Sequence, residues 1–525
     1  MNNFKHFQIY DYLQHWSKNR ANEEAAIFND QRLTWQQLNT QVESLACQLI
    51  DFGISKGDRV AMLSPARNEF LVTYLATLMV GGIWYGIHPR SQLQEIKYML
   101  DDANAKVVFT LDNYLDIAFQ ESFKSLQESC DYIDEIIVIG TEEWPRCKKW
   151  QLPTPTRKQL QVLKERTRQI NPDDGALIVY TSGTTGQPKG ALLSHNNILS
   201  NIRIQNQHFG LSESSIALIH FPINHVACST ELTIGPLMVG GKMVFLDKFH
   251  PVETLETVAK EKVTVFGQIP TMFLLEFALP NYDEYDLSSV ETYIWSGSSA
   301  PQSMIEKLQK TGARLITGYG MTEVSGFVAY SSENATDNEL ISGAGIIDPA
   351  FEIKLVDKNH VELTCQQLSD QEIGEVALRG DCIMTKYWGR SEQTAEAVDK
   401  DGWYYTGDMA RLDDKGNIYL AGRSKDMFIS GGYNIYPREI EAVIEQFPGV
   451  SMTCVIPVAD PIYQEVGKAL IVSNGSLDFD ENKINDFCRE HLSNFKVPKF
   501  FQQVESFPLL ANGKLDKKTI LDEYS

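Results

Sequence analysis

Short apolar runs alternate along this chain with longer segments whose apolar residues recur every three to four positions. Residues 60–63 form one such run after a helical pattern that begins near Thr34, and residues 107–110 form another after a helical pattern that ends near Asp101. Short apolar runs placed between helical patterns are typical of buried strands. The pattern therefore predicts a layered α/β fold.

Residues 70–87 carry no charge and approach the length of a membrane span. Two threonines and a tyrosine interrupt the apolar run, and Gly81-Gly82 ends the helix before the apolar residues 83–87. No charge asymmetry flanks the segment, as a membrane span would require for its orientation. We therefore predict a helix followed by a buried strand, in a soluble protein without a membrane span.

The chain has 525 residues, which predicts two or three domains. After Asp401-Gly402 the segments become short and are broken by Gly and Asp, and a new βα pattern covers residues 443–456. A small C-terminal domain is therefore expected. The proline- and threonine-rich start of residues 152–168, with the charged stretch that follows, predicts a mobile connection.

Composition excludes several classes of function. Acidic residues number 69 and basic residues 47, a net charge of −22, which argues against nucleic acid or anionic lipid as the main partner. Eight cysteines form no C-x-x-C pair and no metal-ligand spacing. Residues 1–10 lack the features of a secretory signal. Together these features predict reduced thiols and a cytoplasmic protein.

Segment 180–190 concentrates hydroxyls, glycines and one lysine directly after the apolar run 176–180. Glycines allow several backbone N–H groups to point at one anion, hydroxyls donate further hydrogen bonds, and a lysine adds a mobile charge. The segment therefore predicts a polyphosphate-binding loop, with a plain surface turn as the alternative. An ordinary Walker-A loop is excluded, because Pro188 stands where its second glycine is needed.

Four further motifs follow in order along the chain. They are Gly318-Tyr319-Gly320-Met321-Thr322-Glu323, Tyr405-Thr406-Gly407-Asp408, Gly422-Arg423-Ser424-Lys425-Asp426 and Asn512-Gly513-Lys514. Together with segment 180–190 the chain resembles the adenylate-forming superfamily, which includes acyl- and aryl-CoA synthetases, amino-acid adenylation domains and beetle luciferase. The resemblance extends over nearly the whole chain, from about residue 11 to about residue 518.

The resemblance implies an α/β fold with a large N-terminal adenylation domain of several subdomains, residues 1–424, and a small mobile α+β domain, residues 425–525. Lys425 would be the hinge between them. It also implies ATP, Mg²⁺ and CoA, or a phosphopantetheine thiol, as partners. Thr322 would touch the α-phosphate as a catalytic residue, and Glu323 would hold Mg²⁺, which prefers oxygen ligands.

The resemblance further implies the nucleotide contacts. Tyr319 would lie against the adenine, Asp408 would accept hydrogen bonds from the ribose hydroxyls, and Arg423 would donate to the ribose or the phosphates. Taken alone, Asp408 and Arg423 are ordinary surface charges, and only their joint spacing supports this role. The remaining implied ATP contacts are Thr181, Ser182, Gly183, Thr184, Thr185, Gly186, Lys189, Ser298 and Ala300.

Lys514 is the implied catalytic cation, which would bridge the substrate carboxylate and the α-phosphate. On the residues alone it equally fits a solvated lysine in a turn. The chain departs from the family pattern at Leu510, where a threonine is usual. In a second step the domain would rotate, and Gly431 and Gly432 would let a pantetheine arm pass the backbone, although a β-bulge explains two glycines almost as well.

The acid-binding pocket is implied at His225, Val226, Thr230 and Gly297. His225 would be a gate beside the carboxylate, and its alternative is a buried histidine bonded to a neighbouring carbonyl. Amino-acid adenylation domains usually carry an aspartate at the position of Val226, so an amino-acid substrate is not expected. A mainly apolar pocket lined by Thr230, Ile294, Trp295, Ser296 and Gly297 predicts a fatty or aryl acid, without fixing which one.

The leading prediction is therefore an ATP-dependent carboxylate:CoA ligase that forms acyl-CoA, AMP and pyrophosphate through an acyl-adenylate. One alternative is an adenylating ligase that loads an acyl carrier protein. For either acceptor, Lys496, Lys499, Lys517 and Lys518 are candidate contacts. A second alternative is a non-catalytic acyl or nucleotide sensor. The sequence leaves the oligomeric state open.

Overall fold

The structure is a computed structural model that describes residues 8–181, 187–297, 300–369, 372–475, 477, 479–509 and 515–525. Its helices are α1 Ile9–Asn19, α2 Trp35–Asp51, α3 Asn68–Met79, α4 Leu93–Ala103, α5 Gln120–Ser129, α6 Arg157–Thr167, α7 His195–Phe209, α8 Leu232–Val239, α9 Pro251–Glu261, α10 Pro270–Phe277, α11 Gln302–Gln309, α12 Asp337–Ser342, α13 Cys365–Ser369, α14 Ser391–Ala397, α15 Pro437–Ile444, α16 Glu481–His491 and α17 Lys517–Tyr524.

The strands alternate with these helices through the first two thirds of the chain. They are β1 Glu24–Phe28, β2 Gln31–Thr34, β3 Arg59–Leu63, β4 Ile83–Ile87, β5 Ala105–Leu111, β6 Asn113–Tyr114, β7 Ile117–Ala118, β8 Glu135–Ile139, β9 Lys148–Lys149, β10 Gly175–Thr181, β11 Lys189–Ser194, β12 Ile216–Ile219, β13 Lys242–Phe245, β14 Val265–Gln268, β15 Thr292–Trp295, β16 Arg314–Met321, β17 Gly326–Tyr330, β18 Ile346–Ile347, β19 Glu352–Val356, β20 Gly374–Arg379, β21 Lys386–Tyr387, β22 Tyr404–Leu412, β23 Ile418–Arg423, β24 Phe428–Ser430, β25 Tyr433–Ile435, β26 Val450–Asp460, β27 Gln464–Ser473 and β28 Phe500–Val504.

Two large sheets form the first part of the molecule. One has the strand order β21-β11-β10-β4-β3-β5-β8-β9, and the other has the order β18-β17-β16-β15-β14-β12-β13-β1-β2. The central strands of both sheets run parallel. One hydrophobic cluster contains residues of both sheets and of the helices between them. This arrangement confirms the predicted layered α/β fold.

The uncharged segment 70–87 is a buried helix and a buried strand, as predicted. The residues of α3 are buried all round, and β4 occupies the residues that the apolar run indicates. A helix that is apolar on every side lies in the interior of a large protein. No helix in the described ranges combines the length and the apolarity that crossing a membrane demands.

The last two sheets are mainly antiparallel. Strands β19, β20, β22 and β23 form one of them. The other contains β24 to β28 and packs with α15 and α16 through hydrophobic clusters whose members all lie after residue 427. The C-terminal part thus has a core of its own, which fits a small C-terminal domain, while the boundary at Lys425 stays a prediction.

The sequence interpretation was wrong for residues 152–168. These residues include α6, which Thr156 caps by accepting a hydrogen bond from the Gln159 N–H at 3.3 Å. Leu163 is buried, and the Thr167 hydroxyl donates to the Met79 carbonyl at 3.0 Å. Most of the surface of α6 faces solvent and its apolar side is narrow, so the sequence pattern did not indicate a helix.

The predicted βα pattern at residues 443–456 also needs correction. The helix comes first, because α15 ends at Ile444 and β26 begins at Val450. Short apolar runs do not distinguish the end of a helix from the start of a strand. The short segments after residue 401 include strands of the two mainly antiparallel sheets, the first of which already begins with β19, Glu352–Val356.

Candidate active site

The predicted phosphate loop lies in a hairpin between β10 and β11. Thr181 is paired with Lys189 across this hairpin, so both predicted contacts lie at the base of the loop. The residues between them that were predicted to bind phosphate, Ser182, Gly183, Thr184, Thr185 and Gly186, lie outside the described residues. Their contribution therefore stays a prediction.

Both ends of this hairpin are attached to α4. The Tyr180 hydroxyl donates to Asp102 Oδ2 at 3.0 Å, and the Tyr98 hydroxyl donates to the Pro188 carbonyl at 2.7 Å. Arg390 Nη2 forms an ion pair with Asp102 Oδ1 at 2.6 Å. Asp102 is thereby bonded to the strand before the loop and to the segment after β21. The motifs did not reveal these contacts, because α4 and Arg390 are distant in sequence.

A lysine, a tyrosine and a carboxylate meet next to the hairpin. Lys189 Nζ lies 5.2 Å from the centre of the Tyr387 ring, and the Tyr387 hydroxyl donates to Glu323 Oε1 at 2.9 Å. The pairing of β21 with β11 brings Tyr387 to this place. Sequence reasoning missed Tyr387, since no local motif surrounds it and only strand pairing reveals it.

Burial raises the pKa of the Glu323 carboxyl, and the Tyr387 hydroxyl offsets part of this effect. A nearby cation would stabilise the ionised form. The described residues contain no group of three or more metal-ligating side chains. A single carboxylate nevertheless fits Mg²⁺, because this ion is commonly held by one or two carboxylates together with substrate phosphates. Glu323 can therefore supply the protein ligand.

Tyr319, Asp408 and Arg423 form a second group. The Tyr319 hydroxyl donates to Asp408 Oδ2 at 2.7 Å, and Arg423 Nε lies 3.2 Å from Asp408 Oδ1. Asp408 and Arg423 face each other across β22 and β23. Burial, together with the Asp408 charge, raises the pKa of Tyr319 far above its usual value, so its hydroxyl keeps its proton. Arg423 interacts electrostatically with both Asp408 and Glu323, which links the two groups.

The glycines of the motif at residues 318–323 have a packing role. A β-carbon at Gly318 would lie 2.1 Å from the Ala329 carbonyl oxygen, and one at Gly320 would lie 2.1 Å from the Gly326 carbonyl oxygen. Only glycine allows so close an approach of two backbones. Thr322 then begins a 3₁₀ turn that ends at Val324. Close packing thus places Thr322 and Glu323 at the end of β16.

His225 stands before a π-helical turn, Ala227–Glu231. Its Nδ1 accepts a hydrogen bond from the Ala227 N–H at 3.1 Å. Val226 and Thr230 are buried, and the Thr230 hydroxyl lies 2.9 Å from the Ser325 carbonyl oxygen, two residues after Glu323. π-Helical turns are frequent at functional sites. The turn thus brings Thr230 close to the Thr322–Val324 segment.

The other predicted wall residues lie at the end of β15. Gly297 has a φ of +92°, a conformation that favours glycine. Ala300 is buried in a hydrophobic cluster with α11 residues. Ser298 lies outside the described residues, as does the whole predicted Asn512-Gly513-Lys514 motif with Leu510. The positions of Ser298 and Lys514 relative to the site therefore stay predictions.

Gly431 and Gly432 form a tight turn between β24 and β25, so the alternative explanation of a β-bulge was wrong. Their φ angles are +55° and +86°, and positive values at both central residues define the turn preferred in two-residue hairpins. Both glycines are exposed, as is Lys425. No described contact joins this hairpin to Glu323.

Three of the four basic residues considered as acceptor contacts are engaged within the chain. Lys496 pairs with Glu439, Lys499 with Asp460, and Lys517 with Asp426. These carboxylates already neutralise the lysines, which weakens the case for a basic docking surface. The pair of Lys517 and Asp426 also attaches α17 next to the predicted hinge.

The comparisons with known proteins agree with this geometry. Residues 13–388 match the family model for AMP-binding enzymes, and residues 439–514 match the model for the AMP-binding enzyme C-terminal domain. The chain therefore belongs to the AMP-binding enzyme family, as the motifs indicated. The predicted recognition of the adenylate-forming superfamily is confirmed.

Relatives place the chain in the acyl- and aryl-CoA ligase branch. It is 30% identical to a long-chain-fatty-acid–CoA ligase of Bacillus subtilis, over 95% of this chain and 91% of that protein. It is 32% identical to a feruloyl-CoA synthase of an Amycolatopsis species, over 92% of each chain. An anthranilate CoA ligase bound to anthranoyl-AMP shares the fold, with a TM-score of 0.85, 23% identity and coverage of 98% of this chain and 96% of that chain. The protein is an acid–thiol ligase of the AMP-forming acyl-CoA synthetase family, whose members use ATP and CoA.

Proposed function

We propose that this protein converts a fatty or aryl acid into its CoA thioester through an acyl-adenylate, releasing AMP and pyrophosphate. The observation that carries the proposal is the convergence of Lys189, Tyr387 and Glu323 beside the hairpin of the predicted phosphate loop. A cation, a hydroxyl and a half-buried carboxylate at one loop suit a nucleoside triphosphate with its metal ion.

In this proposal the hairpin loop and Lys189 hold the phosphates of ATP. Glu323 holds Mg²⁺, which would screen the negative charge of the phosphates when bound. Asp408 accepts hydrogen bonds from the ribose, oriented by Tyr319 and Arg423 on either side. Support comes from the burial of Asp408, because a fixed carboxylate is a better acceptor than one that moves freely in solvent.

The substrate carboxylate has to approach an α-phosphorus that is surrounded by anionic oxygens. Thr322 at the end of β16 and Lys514 of the C-terminal part are the proposed groups that meet this charge. His225 is proposed to lie beside the carboxylate, since its carbonyl and Nδ1 fix the π-helical turn that carries Val226 and Thr230. Fatty and aryl acids fit this mainly apolar wall.

We propose that residues 425–525 move relative to residues 1–424 and contribute different groups to the two steps of the reaction. Separate hydrophobic clusters after residue 427 support a C-terminal unit that rotates as one body about Lys425. Lys514 then serves the adenylation step, and the exposed turn at Gly431 and Gly432 serves the thiol step. The exposure of that turn supports a role in contact with a ligand rather than in packing.

The test is pyrophosphate release across a panel of aryl acids and of short, medium and long aliphatic acids, with AMP and ADP separated and CoA present or absent. The expected result is AMP and pyrophosphate with one class of acid, and thioester only with CoA. Adenylate that is never transferred to CoA would indicate a carrier protein as the acceptor. A complete lack of ATP cleavage with every acid would contradict the ligase proposal and favour a sensor.

A further inference from the structure

Two polar side chains converge on Gly326, at the start of β17. A β-carbon at Gly326 would lie 3.2 Å from Gln205 Oε1 and 3.3 Å from Glu231 Oε1. Gln205 belongs to α7, and Glu231 is the last residue of the π-helical turn. Because Gly326 has no side chain, three separate elements bring an amide and a carboxyl group to one place.

Neither side chain is satisfied by the part of the chain that the structure describes. Both amide atoms of Gln205 are buried without a hydrogen-bond partner, and the residue is 0% exposed. Glu231 is 8% exposed, and desolvation alone perturbs its carboxyl, with no ion pair or hydrogen bond among the described residues. Buried polar groups normally have partners, because leaving them unpaired costs free energy. A missing partner is therefore expected from outside the chain.

The pair adjoins the proposed acid pocket. Glu231 directly follows Thr230, and Gly326 directly follows Ser325, whose carbonyl oxygen lies 2.9 Å from the Thr230 hydroxyl. The Tyr330 hydroxyl, on the same strand, donates instead to the Phe327 carbonyl at 3.0 Å. Glu231 and Gly326 thus lie one residue beyond the contact of Thr230 with Ser325.

We propose that Gln205 and Glu231 bind a hydroxyl group on the acid substrate, so that hydroxylated acids are preferred over their hydrocarbon counterparts. This inference rests on the proposed ligase function, because it assigns a substrate class to that pocket. A hydroxyl both donates and accepts hydrogen bonds. It can therefore donate to Gln205 Oε1 and exchange a further hydrogen bond with the Glu231 carboxyl group.

The protonation state of Glu231 favours an uncharged substituent on the acid substrate. Burial raises its pKa to about 8, so the carboxyl group is largely protonated at neutral pH and serves as both donor and acceptor. An ammonium substituent would instead need the carboxylate form. A neutral hydroxyl requires no such change in ionisation.

The experiment compares kcat/KM for pyrophosphate release within matched pairs of acids. The ratio within a pair cancels the preference of the enzyme for an aryl ring or an aliphatic chain. Cinnamate with 4-hydroxycinnamate and octanoate with 8-hydroxyoctanoate cover an aryl and an aliphatic scaffold. In the wild-type enzyme, the hydroxylated member of at least one pair should be favoured by about tenfold or more, since a site with buried polar groups rejects the analogue that leaves them unpaired.

Variants then locate the preference. Glu231→Leu and Gln205→Leu should bring the ratio in that pair close to one, while Glu231→Gln should keep most of it, because glutamine still donates and accepts. Gln207→Leu is the matched control, since Gln207 lies on the same helix with an exposed side chain, and it should leave the ratio unchanged.

Equal kcat/KM within both pairs in the wild-type enzyme would overturn the inference. An unchanged ratio in both leucine variants would do the same. These results leave the ligase reaction itself intact, because activity is still measured. Loss of pyrophosphate release with every acid, in the wild-type enzyme, is the separate result that would contradict the proposed function and with it this assignment.

Discussion

At the scale of single residues, the site depends on carboxyl groups whose surroundings differ. Asp408 lies between a tyrosine hydroxyl and a guanidinium, each bonded to a different carboxylate oxygen. Glu323 is half-buried and Glu231 is buried, and desolvation raises the pKa of both carboxyl groups. The motifs predicted roles for Asp408 and Glu323 through the family resemblance that they carry. They gave no sign of Glu231 or Tyr387, whose importance arises only from contacts between distant parts of the chain.

Tyr387→Phe tests the contact with the proposed metal-holding carboxylate. Removing the hydroxyl takes away a hydrogen bond that favours ionised Glu323, so the Mg²⁺ concentration for half-maximal pyrophosphate release should rise by about tenfold, as for the loss of a charge-assisted bond. Steady-state kinetics over a Mg²⁺ titration measures this shift. Tyr419→Phe, which removes a hydroxyl bonded to Asp413 at 3.3 Å, should show none. An unchanged Mg²⁺ requirement in Tyr387→Phe would contradict the assignment.

Glu276 provides a prediction on pH. It is 1% exposed and accepts a hydrogen bond from the Gln268 amide at 2.8 Å, and burial raises its pKa to about 8. A carboxyl with a raised folded pKa stabilises the protein fully below its unfolded value of about 4.3, and this contribution is lost as the pH rises towards 8.

Glu276→Gln imitates the protonated carboxyl and does not titrate. The melting temperature of this variant relative to wild type should therefore rise between pH 5 and pH 8, by an amount that corresponds to roughly 1 kcal/mol or more. Thermal unfolding of both proteins at several pH values provides the measurement. A difference that stays constant across this range would mean that Glu276 is ionised in the folded protein.

At the scale of elements, strand pairing assembles the nucleotide site. The sequence patterns located β4 and the start of α2 after Thr34, because local periodicity determines both of them. They missed α6, whose apolar side is narrow, and the order of α15 and β26. Pairing of β11 with β21 cannot be read from local patterns, since it joins segments roughly 200 residues apart.

Asp102→Asn tests how the hairpin is held. The substitution removes the ion pair with Arg390 and weakens the acceptor for Tyr180, so the strand end before the phosphate loop should lose order. We expect the KM for ATP to rise by about tenfold while the KM for the acid changes little. Asp101→Asn on the same helix, which affects an exposed pair with Lys97, is the control. Equal effects of both variants on ATP would show that Asp102 has no positioning role.

At the scale of the whole molecule, the two proposed half-reactions depend on different parts of the C-terminal unit. Lys514→Ala should lower acyl-adenylate formation by several orders of magnitude and retain much of the thiol step with supplied acyl-adenylate. Gly432→Ala should lower the thiol step by about tenfold and leave pyrophosphate exchange intact. A β-carbon at Gly432 meets no atom within 4 Å, so the loss would reflect the ligand.

Gly416→Ala is the matched control for the glycine variant. Gly416 also has a positive φ, +84°, with open space where a β-carbon would be, so it imposes a similar backbone strain away from the site. It should leave both steps unchanged. Equal losses in both half-reactions for Lys514→Ala would contradict the alternation of domains.

The pairing of β11 with β21 has a consequence for synthesis on the ribosome. Strand β11 is bonded on one side to β10 and on the other to β21, and β21 emerges about 200 residues later. At roughly 5–20 residues per second, translation leaves the outer edge of β11 uncovered for about 10–40 s. An uncovered strand edge is a template for pairing with other chains. Nascent copies of this ligase therefore pass through an interval of aggregation risk, in which chaperone protection matters most, and it closes only when Tyr387 leaves the exit tunnel.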